Sequence, residues 1–240
     1  MNKVMGSLSG IGWQKERAGL DLLGYTAPLP LADSTIAKSL AMNHAGKTDY
    51  IRNPHTSSTQ VSDLLRDPGL VEAVDALCGL DLQVWRSAFF SKSEGSGEIG
   101  WHHDKHFFDG DEEINLDTTG EHFSVLFALT EISHHTGMLE VVPGTHTYVA
   151  GFPRELRPFH LRPKEAHILR DLPPEVLAAR RALPIPSGCF VIFHSSLLHR
   201  SLPHSAGEPR LGLAIRLANR KRKVPDALAK KEDILSFPLK

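Results

Sequence analysis

The segment Trp101-His102-His103-Asp104-Lys105-His106 places three imidazoles and a carboxylate within six positions. Side chains two apart along a strand share a face. In an extended segment, His102 and Asp104 therefore point one way and His103 the other. An imidazole and a carboxylate on one face can grip a single metal ion. His106 also shares the face of Asp104, and His103 is adjacent, so both stay open as alternatives to His102. A third ligand must come from elsewhere in the chain. Phe193-His194-Ser195-Ser196-Leu197-Leu198-His199-Arg200-Ser201 offers His199, with His194 and the nearby His204 as alternatives.

Two histidines and one carboxylate on one face of an iron ion leave three positions open. A bidentate 2-oxo acid fills two of them and O2 the last. Oxidation of 2-oxoglutarate to succinate and CO2 then yields an oxidant able to take hydrogen from an unactivated C–H bond.

Further segments follow in a recognisable order. Gly137-Met138-Leu139-Glu140-Val141-Val142-Pro143-Gly144-Thr145-His146 lies between the two ligand segments, and Arg210 follows His199 by eleven residues. With WHxD at Trp101–Asp104 and LLHxS at Leu197–Ser201, this sequence resembles the phytanoyl-CoA dioxygenase-like branch of Fe(II)/2-oxoglutarate oxygenases over about residues 80–218. The middle segment is similar to the family's GxLxxVPGSH, with Thr145 in place of serine. The resemblance implies Fe(II) held by His102, Asp104 and His199, with 2-oxoglutarate and O2 as cosubstrates. It implies that Arg210 binds the distal carboxylate of 2-oxoglutarate, a task suited to a planar guanidinium, with Ser201 adding a hydroxyl. Related halogenases carry Ala or Gly where Asp104 stands, so Asp104 points to hydroxylation or desaturation.

These residues need strands to present them. Leu82–Ser91, Glu98–Phe108, Phe123–Leu129, Met138–Val142, Cys189–Phe193 and Leu211–Leu217 are rich in Val, Ile, Leu and aromatics, and most are bounded by Gly, Pro or polar turns. Little helix separates them, which predicts a sandwich or barrel. Residues 1–80 read as mainly helical. One helix starts at Asp33-Ser34. An amphipathic stretch runs from Val61 to Cys78, with a break at Pro68 and a stop at Gly79. The proline-rich stretch 150–186 reads as a long insertion, used as a lid, with a short helix in Leu172–Leu183. Alternation along the last strand puts Arg210, Gly212, Ala214 and Arg216 on one face, so Arg216 also points inward and needs an anion. Arg86, Trp101 and Lys105 complete the candidate substrate contacts; Arg86 also reads as half of a structural ion pair, and Trp101 as core.

The expected architecture is mainly β, a double-stranded β-helix (jelly roll, cupin-like) with N-terminal helices packed on one sheet. Its 240 residues suit one oxygenase domain. The helical part spans about 1–80, the jelly-roll core 81–218, and a solvated basic tail 219–240.

Composition narrows the partners. Twenty-seven basic and 28 acidic residues leave a formal charge of -1, which gives no electrostatic reason for nucleic acid or an anionic membrane as partner. No apolar run approaches the ~20 residues that span a bilayer. Residues 1–19 lack a signal-peptide core, and two cysteines make no disulfide framework. A cytoplasmic protein is expected. The expected reaction is hydroxylation of a small polar metabolite, such as a free amino acid or natural-product intermediate. The competing expectations are a phosphonate-oxidising oxygenase, in which Arg216 and Lys105 hold the dianion, and a non-catalytic metal-binding jelly roll. A cupin-type isomerase gives no reason for Arg210.

Overall fold

A computed structural model describes residues 12–44, 51–79, 81–104, 106–109, 112–115, 122–147, 154–156, 167–169, 171–226 and 228–239. The helices α1 (Trp13–Leu23), α2 (Ser34–His44), α3 (Thr59–Leu65) and α4 (Pro68–Cys78) come first, with the short strand β1 (Leu29–Pro30) after α1. The strands β2 (Leu82–Lys92), β3 (Ile99–His102), β4 (His106–Asp109), β5 (Glu112–Asn115), β6 (His122–Ala128) and β7 (Leu139–Val141) follow. After them come β8 (Arg154–Leu156), β9 (His167–Leu169), α5 (Pro174–Ala178), β10 (Arg181–Leu183), β11 (Cys189–His194), β12 (His199–Ser201), β13 (Arg210–Asn219) and β14 (Leu235–Phe237).

Local chemistry sets the helix ends. Asp67 caps α4 by accepting from the Leu70 amide, and Pro68 occupies the first turn, where its missing N–H costs nothing. The same carboxylate accepts from the amides of Ala32 and Asp33 at 3.0 Å, which ties the entry of α2 to α4. Gly24 ends α1 at φ 91°, and a Cβ there would meet His146 Nδ1 at 2.5 Å, so both backbone and space require glycine.

Two antiparallel sheets form the jelly roll. The major one has the order β1-β11-β6-β13-β2-β14, and the minor one β10-β7-β12-β3. Alternation along β13 separates two cores. Leu211, Leu213, Ile215 and Leu217 pack with the helices through Leu40, Leu64 and Leu70. Ala214 instead meets Leu126, Leu139, Val141 and Val191 between the sheets. Because one face of the major sheet is sealed by helices, the inward residues of β2 and β13 face only the minor sheet. The metal ligands lie there.

Three expectations need correction. The single strand Glu98–Phe108 is interrupted: β3 stops at His102, Asp104 lies in a turn, and β4 starts at His106. The tail is not simply solvated, although Arg220–Lys223 are exposed. Beyond them Val224, Leu228 and Ala229 pack on Trp85, and β14 pairs with β2. That packing seals a bulge in β2, where Arg216 pairs with Arg86 and Leu217 skips to Val84. Within the expected insertion, the helix in Leu172–Leu183 is limited to α5, and Arg181–Leu183 instead pairs with β7 as β10. Much of the expected lid, including 157–166, lies outside the described residues.

Candidate metal centre

His102 ends β3, Asp104 sits in the turn two residues on, and His199 opens β12, which pairs with β3 directly opposite His102. The ligand atoms of these three residues all lie within 4.8 Å of one another. His199 Nε2 is 3.8 Å from Asp104 Oδ2, and the two imidazole centroids are 4.1 Å apart. The expected triad is thus brought together. Pure strand alternation is not the reason for Asp104, since the chain has already left the strand. Its amide donates to the Ser195 carbonyl at 2.8 Å, which pins the turn to the segment leading to His199.

Both histidines are oriented for a metal. His102 Nδ1 lies 2.8 Å from the Gly100 carbonyl and His199 Nδ1 lies 2.9 Å from the Leu197 carbonyl. A carbonyl only accepts, so each Nδ1 carries the proton and each Nε2 lone pair is left for an ion. Burial lowers the pKa of both rings, that of His199 to about 3, so both are neutral at neutral pH. Burial alone would raise Asp104, but Arg216 leads the groups that hold it at about 2. Two neutral imidazoles and one carboxylate are the donor set that Fe(II) accepts with positions left open.

Arg216 does point inward, as expected, but its anion is Asp104 rather than a ligand group. Its Nη2 donates to Asp104 Oδ1 at 2.7 Å, while Ser124 Oγ donates to Oδ2 at 2.8 Å. Arg86 stands opposite Arg216 across the β2–β13 pair and is half-buried, and its charge opposes that of Arg216.

Arg210 begins β13 and is 2% exposed. Its Nη1 donates to Ser201 Oγ at 3.1 Å and to the Gly137 carbonyl at 3.2 Å, while Nε has no partner. No carboxylate pairs with it among the described residues. Burial lowers its pKa to about 10, which still leaves it a cation. A buried, uncompensated guanidinium is costly and calls for an anionic ligand. Ser201 lies two residues beyond His199 on β12, hence on the same face.

The other candidates resolve differently. His103 Nδ1 is 2.5 Å from the Ser196 carbonyl. His194 stacks on His146 at 4.6 Å near the end of α1, and His204 Nε2 engages the Glu208 carbonyl at 3.0 Å. Trp101 does not wall the metal site. As the neighbour of His102 on β3 it takes the opposite face, packing with Val142, Leu169 and Leu198 beneath Arg200, whose guanidinium carbon is 5.0 Å from the ring. Lys105 lies outside the described residues. Sequence reasoning missed Ser124 and Lys92. Lys92 was detectable, since it sits six residues from Arg86 and so shares its face of β2, with Ala88 and Phe90 between them. Ser124 gave no signal beyond a small polar residue in a buried strand.

Fold and site together define a jelly-roll protein whose inner face can hold one metal ion on a His–Asp–His set. The family model for phytanoyl-CoA dioxygenase (PhyH) matches residues 32–212, and the chain belongs to that family. Among solved structures, the fold is similar to the non-haem monooxygenase ThoJ in its apo form, with 18% identity and a TM-score of 0.65 over 85% of this chain and 76% of that one. It is likewise similar to the epimerase SnoN in complex with Fe3+, α-ketoglutarate and nogalamycin RO, with 18% identity and a TM-score of 0.65 over 86% and 83%. CytC3 with Fe(II) and α-ketoglutarate is 20% identical, with a TM-score of 0.57 over 93% and 79%. No curated protein sequence matches this one. Both cysteines are free, and no helix among the described residues is long and apolar enough to cross a membrane.

Proposed function

We propose that this chain is one Fe(II)/2-oxoglutarate-dependent dioxygenase domain that hydroxylates an unactivated C–H bond of a small polar metabolite, such as a free amino acid or natural-product intermediate. The observation that carries the reading is the buried Arg210, which no carboxylate among the described residues pairs with, on the same inner wall as the triad. His199 and Ser201 are two residues apart on β12, about 7 Å along the strand. That span suits a five-carbon 2-oxo diacid with its distal carboxylate at Arg210 and its other end at the metal. Iron, 2-oxoglutarate and O2 bound together would supply the oxidising power, with succinate and CO2 as by-products.

The chain's own residues do the positioning. His102 and His199 would present Nε2, and Asp104 would present an oxygen already steadied by Arg216 and Ser124. Arg210 and Ser201 would fix the cosubstrate. A carboxylate at position 104 supports oxygen insertion over halogenation. SnoN is described as an epimerase and ThoJ as a monooxygenase, so likeness of fold does not choose among oxidative outcomes. The phosphonate reading loses its main support, because Arg216 is engaged by Asp104. A ferrous site suits a reducing compartment, and the cytoplasm is part of this reading.

The test has two stages. Anaerobic protein given Fe(II) and 2-oxoglutarate should show a weak visible charge-transfer band; its absence would favour the non-catalytic metal-binding reading. A panel of small acids and amines should then stimulate succinate release, with a product carrying one added oxygen by mass spectrometry. Succinate release no greater than the uncoupled background across the panel would overturn the proposed substrate class.

A further inference from the structure

The inward residues of β2 and β13 face one another in pairs: Lys92 with Arg210, Phe90 with Gly212, Ala88 with Ala214, and Arg86 with Arg216. A pair of cations therefore closes each end of this wall. At the Arg216 end, Asp104 supplies a negative charge. At the other end Lys92 is 1% exposed, and its ammonium donates to three backbone carbonyls: Gly97 at 2.9 Å, Leu202 at 2.5 Å and Ser201 at 3.4 Å. No ion pair to Lys92 or to Arg210 exists among the described residues.

Two buried cations share these neighbours. Arg210 donates to Ser201 Oγ and to the Gly137 carbonyl. Lys92 holds the Ser201 carbonyl, and its aliphatic stem lies so close to Gly137 that a Cβ there would meet Lys92 Cδ at 2.8 Å. A methionine or leucine would fill the same space without the cost of burying a charge. The three carbonyls explain how the ammonium is tolerated. They do not explain a second positive charge beside Arg210.

We propose that Lys92 is a positioning residue for the dicarboxylate cosubstrate. Its ammonium fastens the end of β12 to the segment entering β3, and its charge joins that of Arg210 behind the distal carboxylate. The inference rests on the 2-oxoglutarate reading and assigns a second cation to that seat.

The charged and titratable groups around Lys92 are few. Arg210 faces it from β13. Glu98, before β3, is half exposed and turned toward Arg200 at 3.4 Å. The loop after β12 brings His204, tied to the Glu208 carbonyl. Burial, then Arg210, lower the Lys92 pKa to about 7, and Glu98 acts weakly the other way. A carboxylate arriving at Arg210 raises it again. Cosubstrate binding should therefore take up a proton above pH 7 and none well below it.

Calorimetric titration of anaerobic, Fe(II)-loaded protein with 2-oxoglutarate, in buffers of different ionisation heat, reads this directly. The wild type should take up as much as about one proton per site at pH 8 and almost none at pH 6. Lys92→Met should lose the uptake and bind 2-oxoglutarate about tenfold more weakly, with Fe(II) affinity unchanged. Binding by the wild type without proton uptake overturns the inference even if Lys92→Met fails to fold. So does a folded Lys92→Met protein with unaltered affinity, which marks Lys92 as a structural staple only. No binding of 2-oxoglutarate to the wild type at all would sink the cosubstrate reading and this inference with it.

Discussion

The Arg216 guanidinium donates to the Asp104 carboxylate at 2.7 Å, joining the inner face of β13 to the turn that follows β3. Asp104 is 7% exposed, and among the described residues Arg216 is the only permanent cation paired with it, since burial keeps His102 and His199 neutral. Removing one partner strands a charge. Arg216→Met should destabilise the metal-free protein by about 3–5 kcal/mol, the usual cost of breaking a buried pair from one side. Asp104→Ala/Arg216→Met should lose clearly less than the sum of the single variants. Urea unfolding of the four proteins measures this, and additive losses would show that the pair contributes no coupling.

The ligand assignment separates neighbours in sequence. His102→Gln and Asp104→Ala should abolish turnover, Asp104→Ala while keeping part of the Fe(II) affinity. His103→Gln should still bind Fe(II), because its ring holds the Ser196 carbonyl rather than facing the triad. Equilibrium Fe(II) binding under anaerobic conditions distinguishes them. Loss of binding in His103→Gln, with retention in His102→Gln, would reverse the assignment.

Arg210→Ala should raise the 2-oxoglutarate requirement steeply, because a charge-assisted pair worth roughly 1.5–3 kcal/mol is lost, about 10- to 150-fold in affinity. Fe(II) affinity should hold, since Arg210 contacts Ser201 and Gly137 rather than the triad. Titration of the charge-transfer band with 2-oxoglutarate gives the number. Unchanged cosubstrate affinity would remove Arg210 from its assigned place.

What was legible in the sequence follows physical range. Strands such as β6 and β11 carry long apolar runs, so composition alone reveals them. The three-residue strands β10 and β12 carry no period, and only their pairing defines them, β10 with β7 and β12 with β7 and β3. The break after His102 was hidden because His103 and Asp104 fit either strand or turn. The pairing of Arg216 with Asp104 spans 112 residues, and no local pattern encodes it. Lys92 was missed because a lysine normally marks a solvated position, whereas this one is sheltered by three carbonyls from two separate loops and a strand end.

Acid should unfold the metal-free protein earlier than its carboxylates alone require. Burial lowers the pKa of His55, His102, His146, His194 and His199, with His194 at about 4 and His199 at about 3. Unfolded histidines take protons below about 6.5. The unfolded chain therefore binds more protons than the folded one from there down, and stability falls with pH. His194 and His199 should each contribute a loss of up to about 1.4 kcal/mol per pH unit below 6.5, until their folded pKa values are reached. Asp104, held at about 2, adds its own loss only below its unfolded range near 3.8. The urea midpoint of metal-free protein should drop markedly between pH 7 and pH 5, and His194→Asn should show a shallower slope over that window. A midpoint that stays flat from pH 7 to pH 5 would mean that these imidazoles titrate as freely in the folded chain as in the unfolded one.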